Sequence, residues 1–283
     1  MFSPPPGMLM PSTTPLLLSA LIGLCAGLHS STWGMYKDAP HEGFTWTKYF
    51  RSTLIALLIA APIYAVTGYD PGTASGAMML FGLVYAVERA IAESYKSFFR
   101  EEDQSKYTIP MQLAVFGRPV ESRGARWLVG VAYVAIMVGG VYGLTRAQAA
   151  FPQLGTRTWI VILGSLGGWF SAFGGAWKDA PIEGFQIFKF FRSPLMAAGY
   201  ALVLSFVTDN VAAVVIAAEG FVIATTETYK TFFFPSKPRG KFADKPVLFP
   251  DMLRRRRHFV PLYSAIWAGL LAGFVMILSN PVR

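Results

Sequence analysis

The stretch "VVIAAEGFVIATTETYK" sets one carboxyl group, Glu219, in the middle of an apolar run. An ionisable side chain in such a setting is costly, and it marks an ion path, a proton relay or a ligand counter-ion. The competing chemistry is a protonated or hydrogen-bonded glutamate holding two helices together. A second concentration of charge is "ERAIAESYK", where Arg89 and Glu93 stand one helical turn apart, the i,i+4 spacing of an ion pair. Tyr85, Arg89 and Lys96 share a stripe of that helix, with Glu88 and Glu93 flanking it.

A third concentration of charge lies in two near-copies of one phrase, "YKDAPHEGFTWTKYFRS" at 36–52 and "WKDAPIEGFQIFKFFRS" at 177–193. The first copy supplies Lys37, Asp38, Glu42 and Arg51, which the sequence groups with Glu93 and Lys96. The second supplies Lys178, Asp179, Glu183 and Arg192, grouped with Glu227 and Lys230 of "ETYKTFF". Each group serves either as an ion-paired clamp on helix ends or as a binding site for a phosphate-bearing or metal ligand. The carboxylates could supply oxygens to a divalent cation, but no spacing dictates a coordination geometry, so no metal is assigned.

Catalytic signatures are missing: there is no HExxH, no GxSxG and no P-loop. His29, His41 and His258 are scattered; His29 has no second membrane histidine to complete a haem pair, while a mobile quinone stays compatible. No cofactor is assigned. The lone Cys25 excludes an intrachain disulfide.

These groups must be positioned by membrane helices. The chain has 283 residues, 53% hydrophobic and only 14% charged, against about 25% charged in soluble domains. Apolar blocks long enough to span a bilayer predict eight helices at 14–36, 52–69, 74–96, 127–146, 157–177, 194–209, 210–230 and 259–279. The first is read as a retained helix, because "MFSPPPGMLMPSTT" has no basic residue ahead of it. Pro40 and Pro181 interrupt helices and Gly43 and Gly184 permit turns. The chain is therefore expected to leave the membrane at Lys37 and Lys178, then run as a short aromatic interfacial segment.

The phrases are 141 positions apart, and the match runs back to Gly23, Gly27 and Ser30, which return as Gly164, Gly168 and Ser171. "ESYKSFF" at Glu93 returns as "ETYKTFF" at Glu227, 134 apart; Tyr133, Gly139 and Gly143 return as Tyr263, Gly269 and Gly273, 130 apart. Offsets that shrink only at loops are the mark of duplication. The expected fold is an all-α integral membrane protein of two parallel four-helix repeats, 14–148 and 149–283 after a tail at 1–13, related by a pseudo-two-fold axis along the membrane normal. The small-xxx-small pairs Gly23/Gly27, Gly139/Gly143, Gly164/Gly168 and Gly269/Gly273 are expected to pack helix against helix.

The net charge of +9 comes from bases between spans, culminating in "RRRRH". Their loops predict both termini on the non-cytoplasmic side of a cytoplasmic or inner membrane. Partners follow: membrane lipids with anionic headgroups at the cytoplasmic face, other membrane subunits, and no nucleic acid. Two functions fit. One is a transporter-like protein binding or conducting an ion or an anionic or amphiphilic ligand at the repeat interface, with Glu219, Glu88 and Arg89 in the path. The other is a non-catalytic structural or lipid-binding subunit of a larger complex. An enzyme acting on lipid headgroups ranks third.

Overall fold

A computed structural model describes residues 13–234 and 240–282. The expected tail at 1–13, apart from Thr13, lies outside the described residues. The described residues are predominantly helical and contain eight helical segments long and apolar enough to cross a membrane. In order these are α1 (Thr13–Glu42), α2 (Trp46–Thr67), α3 (Ala74–Ser94), α4 (Arg123–Ala150), α5 (Arg157–Glu183), α6 (Ile187–Leu204) and α7 (Val211–Phe232), and lastly α8 (Asp251–Arg255) continued through a 3-10 turn into α9 (Val260–Ser279). A π turn at Tyr95–Phe99 extends α3, and a two-stranded hairpin pairs Ala114–Val115 with Arg118–Pro119.

The charged phrases differ from expectation. The first and fifth helices do not stop at Lys37 and Lys178 but run through Pro40 and Pro181 to Glu42 and Glu183. The turns come at Gly43 (φ 76°) and Gly184 (φ 80°), left-handed positions that glycine adopts without steric cost. The aromatic segments are not separate interfacial stretches. They form the first turns of α2, which Thr45 caps through the Lys48 amide, and of α6. Proline is tolerated because it sits in the last turn, where it deprives a single carbonyl of its partner. For Pro40 that carbonyl belongs to Tyr36, and the Arg256 guanidinium donates to it at 2.7 Å. The sixth and seventh spans also shift: α6 starts at Ile187 and ends at Leu204, leaving 205–210 to link it to α7.

Close packing uses half of the glycines marked in the sequence. Gly23 and Gly27 bring α1 onto α2: a Cβ at Gly23 would stand 2.7 Å from Ala60 Cβ, and one at Gly27 would run into the Thr53 backbone. Gly164 and Gly168 bring α5 onto α6 at Ala201 and Ser193 in the same manner. By contrast, Gly139, Gly143 and Gly269 have nothing within 4 Å, and Gly273 meets the Met78 side chain. Nor do the packed pairs join the two halves of the chain. The main join is that of α3 and α7, which cross where Gly82 and Gly220 meet backbone to backbone and Phe81 stacks on Phe221 at 5.8 Å, and α9 adds its packing on α1 and α3. Around this crossing sits the main apolar core, with Met79, Val84, Val214, Ala217 and Ala218 fully enclosed. Helix α4 stays peripheral, exposing Leu128, Ile136, Val138 and Tyr142.

Candidate functional site

The charged ends of α1, α3, α5 and α7 surround a cavity of about 290 Å³. It opens at the end of the bundle where α1 turns into α2 and α5 turns into α6. Lys37, Asp38, Glu42, Arg51, Arg89, Glu93, Lys96, Lys178, Asp179, Glu227 and Lys230 all line it. Four candidates, Glu88, Glu183, Arg192 and Glu219, lie outside it. Ile109, Met111, Gly240 and Lys241, from the loops after α3 and α7, close its outer end.

The ion pairs cross between helices far apart in sequence. Glu93 takes two cations, Arg89 at 2.8 Å and Lys96 at 2.7 Å. Glu227 also takes two, Lys230 at 3.6 Å and Lys37 at 3.3 Å. Lys37 therefore pairs outside the group in which the sequence placed it. Asp38 and Glu42 do likewise: both bind Lys241, at 2.9 and 3.2 Å. Asp179 and Glu183 share Lys189 at 2.9 and 2.8 Å. Among the described residues Lys178 makes no ion pair; its ammonium lies 3.7 Å from the Met111 thioether. Arg51 is exposed at the rim.

The loop cap is built from both long loops. Backbone and side chain of Thr108 bond to Lys241 and Ala243, and Lys245 donates to the Ser105 carbonyl at 2.7 Å. Tyr107 donates to Glu42 at 3.0 Å, and His41 stacks on Phe242 at 4.4 Å. Burial, then the Glu42 and Glu102 carboxylates, hold the Tyr107 phenol above its ordinary range. Burial of Glu102 opposes its ionisation, but the Lys106 hydrogen bond and the Arg100 charge outweigh it and hold that carboxyl below its ordinary range.

Deeper in the bundle the two halves differ. Ser30 of α1 accepts from Arg89 at 2.8 Å, whereas Ser171 of α5 donates to Glu219 of α7. The second carboxyl oxygen of Glu219 is buried without a hydrogen bond. Glu88 is fully buried, and among the described residues its one ion pair is a 3.8 Å approach to Arg89 and neither of its oxygens is hydrogen-bonded. Next to Arg89 lies a cluster not singled out from the sequence. His29 stacks on Tyr263 at 4.3 Å and hydrogen-bonds Tyr85 at 3.0 Å, and Trp33 donates to the same phenol at 2.8 Å. The Lys37 ammonium stands 4.7 Å over the Trp33 ring. The spacing of His29 and Trp33, one helical turn apart on the face that also carries Ser30, is the only sequence signal of this cluster.

Among the described residues, no three or more His, Cys, Asp or Glu side chains are gathered so as to hold a metal ion. Comparison with known protein families, curated proteins and solved structures finds no match.

Proposed function

We propose that the protein is a transporter-like membrane protein that binds an anionic ligand, phosphate-bearing or carboxylate, in the larger cavity. The observation that carries this reading is the surplus of positive charge there. Glu93 and Glu227 each face two cations, and Lys178, near Glu93 and Asp179, closes no ion pair with either. Ammonium groups held in a partly desolvated pocket without counter-charge are costly unless an anion arrives. Anionic headgroups of membrane lipids are one source of such a ligand.

In this reading the chain is two parallel repeats, 14–148 and 149–283, with the cavity between them at the cytoplasmic face and Glu219, Glu88 and Arg89 along the path inward. Support for the duplication comes from a second, smaller cavity between α5, α6 and α7. Of the residues that line it, all but Val222 and Thr226 have counterparts, at the 141 or 134 offset, lining the larger cavity.

The test is binding of inorganic phosphate, sulfate and a short dicarboxylate to the protein in nanodiscs at constant ionic strength. One of these should raise the thermal midpoint saturably where chloride does not. Lys178→Gln should weaken that binding by about tenfold, the value of one charge-assisted hydrogen bond, without lowering the midpoint of the ligand-free protein. In proteoliposomes, Glu219→Gln should abolish uptake of the same anion while stability stays unchanged. Indifference to all three anions would sink the reading.

A second reading has one observation in its favour. The open Gly139/Gly143 face of α4 suits a subunit packed against other membrane proteins. A native mass in mild detergent well above that of the 31.0 kDa chain and its micelle would support it.

A further inference from the structure

The smaller cavity, about 140 Å³, carries chemistry that its larger counterpart lacks. Thr226 lines it and is nine-tenths buried, yet among the described residues its hydroxyl has no hydrogen-bond partner. The residue 134 positions earlier is Ala92, so the hydroxyl belongs to this cavity alone. A buried hydroxyl left without a partner is destabilising, which an acceptor entering the cavity would offset.

Two cations face the same space, Arg192 from α6 and Lys230 from α7. The acids in its wall are already engaged from other directions: Asp179 by Lys189 at 2.9 Å, and Glu227 by Lys37, which reaches it from the larger cavity at 3.3 Å. Lys230 stands farther from Glu227, at 3.6 Å. The cavity therefore brings an unpartnered hydroxyl and two cations to one space.

Its lip is apolar. Phe185, 59% exposed, forms part of the wall, and Ile187, Phe188 and Phe191 are exposed along the start of α6. A basic pocket between membrane helices beside exposed aromatic side chains fits an amphiphile whose charged head enters and whose chain stays in lipid.

We propose that this cavity is a lateral site for the phosphate of an anionic lipid headgroup, with Thr226, Arg192 and Lys230 as donors. The site does not depend on what the larger cavity holds.

The experiment measures binding of a short-chain phosphatidic acid to the full chain in detergent. A zwitterionic lipid of the same chain length and inorganic phosphate are compared with it. Saturable binding of phosphatidic acid is expected, weakened roughly tenfold by Thr226→Ala and by Arg192→Gln, the loss of one hydrogen bond to a charged acceptor. Thr226→Ala installs the residue found at position 92 and should fold normally; its thermal midpoint at or above that of the parent checks this. Lys178→Gln, in the larger cavity only, should leave phosphatidic acid binding unchanged. Three results would overturn the proposal: equal binding of all three probes, binding insensitive to both Thr226→Ala and Arg192→Gln, or binding lost in Lys178→Gln instead. Inorganic phosphate matching phosphatidic acid with the same variant pattern would overturn the lipid assignment in favour of a free-anion site.

Discussion

Arg256 donates at 2.7 Å to the carbonyl of Tyr36, the one carbonyl of α1 that Pro40 leaves without a helical partner. Its guanidinium also lies 4.2 Å over the Tyr36 ring. A residue 220 positions away thus repairs the helix that carries Lys37, Asp38 and Glu42 into the cavity.

Arg256→Gln should cost about 1–3 kcal/mol, because it leaves a buried acceptor unsatisfied. Pro40→Ala in the same chain should recover much of that loss, since residue 40 regains an N–H for Tyr36. The neighbouring exposed Arg255→Gln should stay within about 0.5 kcal/mol of the parent. Thermal unfolding in detergent reads all three, and equal midpoints for Arg256→Gln and Arg255→Gln would refute the repair.

Gly27→Leu and Gly168→Leu should sharply lower yield and thermal midpoint, as each side chain would enter the backbone of the facing helix. Gly139→Leu and Gly269→Leu meet open space and should match the parent. A loss at Gly139 as large as that at Gly27 would mean α4 packs against something outside this chain.

Asp38→Asn and Asp179→Asn occupy matching positions in the repeated phrase, yet their partners differ. Asp38 holds Lys241, a loop residue closing the cavity, whereas Asp179 holds Lys189 on the adjacent helix beside exposed Glu183. Asp38→Asn should cost about 1–3 kcal/mol and expose the loop cap to protease. Asp179→Asn should cost under about 1 kcal/mol, as an outer ion pair does. Equal losses would mean the cap contributes nothing.

Sidedness is tested with single cysteines in a Cys25→Ser background. A cysteine at exposed Ser105, in the loop that caps the cavity, should react with an impermeant maleimide from the cytoplasmic side alone. One at exposed Thr73, at the start of α3, should react from the opposite side alone. Labelling of both from one side contradicts the arrangement of the spans.

What the sequence determined by itself rests on local periodicity and composition. Apolar runs of bilayer length give the eight spans because lipid offers backbone groups no partners outside a helix. The Arg89–Glu93 pair forms because i,i+4 neighbours meet on any helix. The tertiary structure decided what depends on which helices touch. Lys37 reaches Glu227 across 190 positions, and Lys241 arrives from a loop to hold Asp38 and Glu42. Gly82 and Gly220, a pair the sequence does not mark, bring the halves together. Periodicity tells which residues share a face but not which face meets which; that follows from how closely two backbones can approach. Gly139 and Gly143 of α4 therefore look like Gly23 and Gly27 of α1 in the sequence and meet nothing within 4 Å among the described residues.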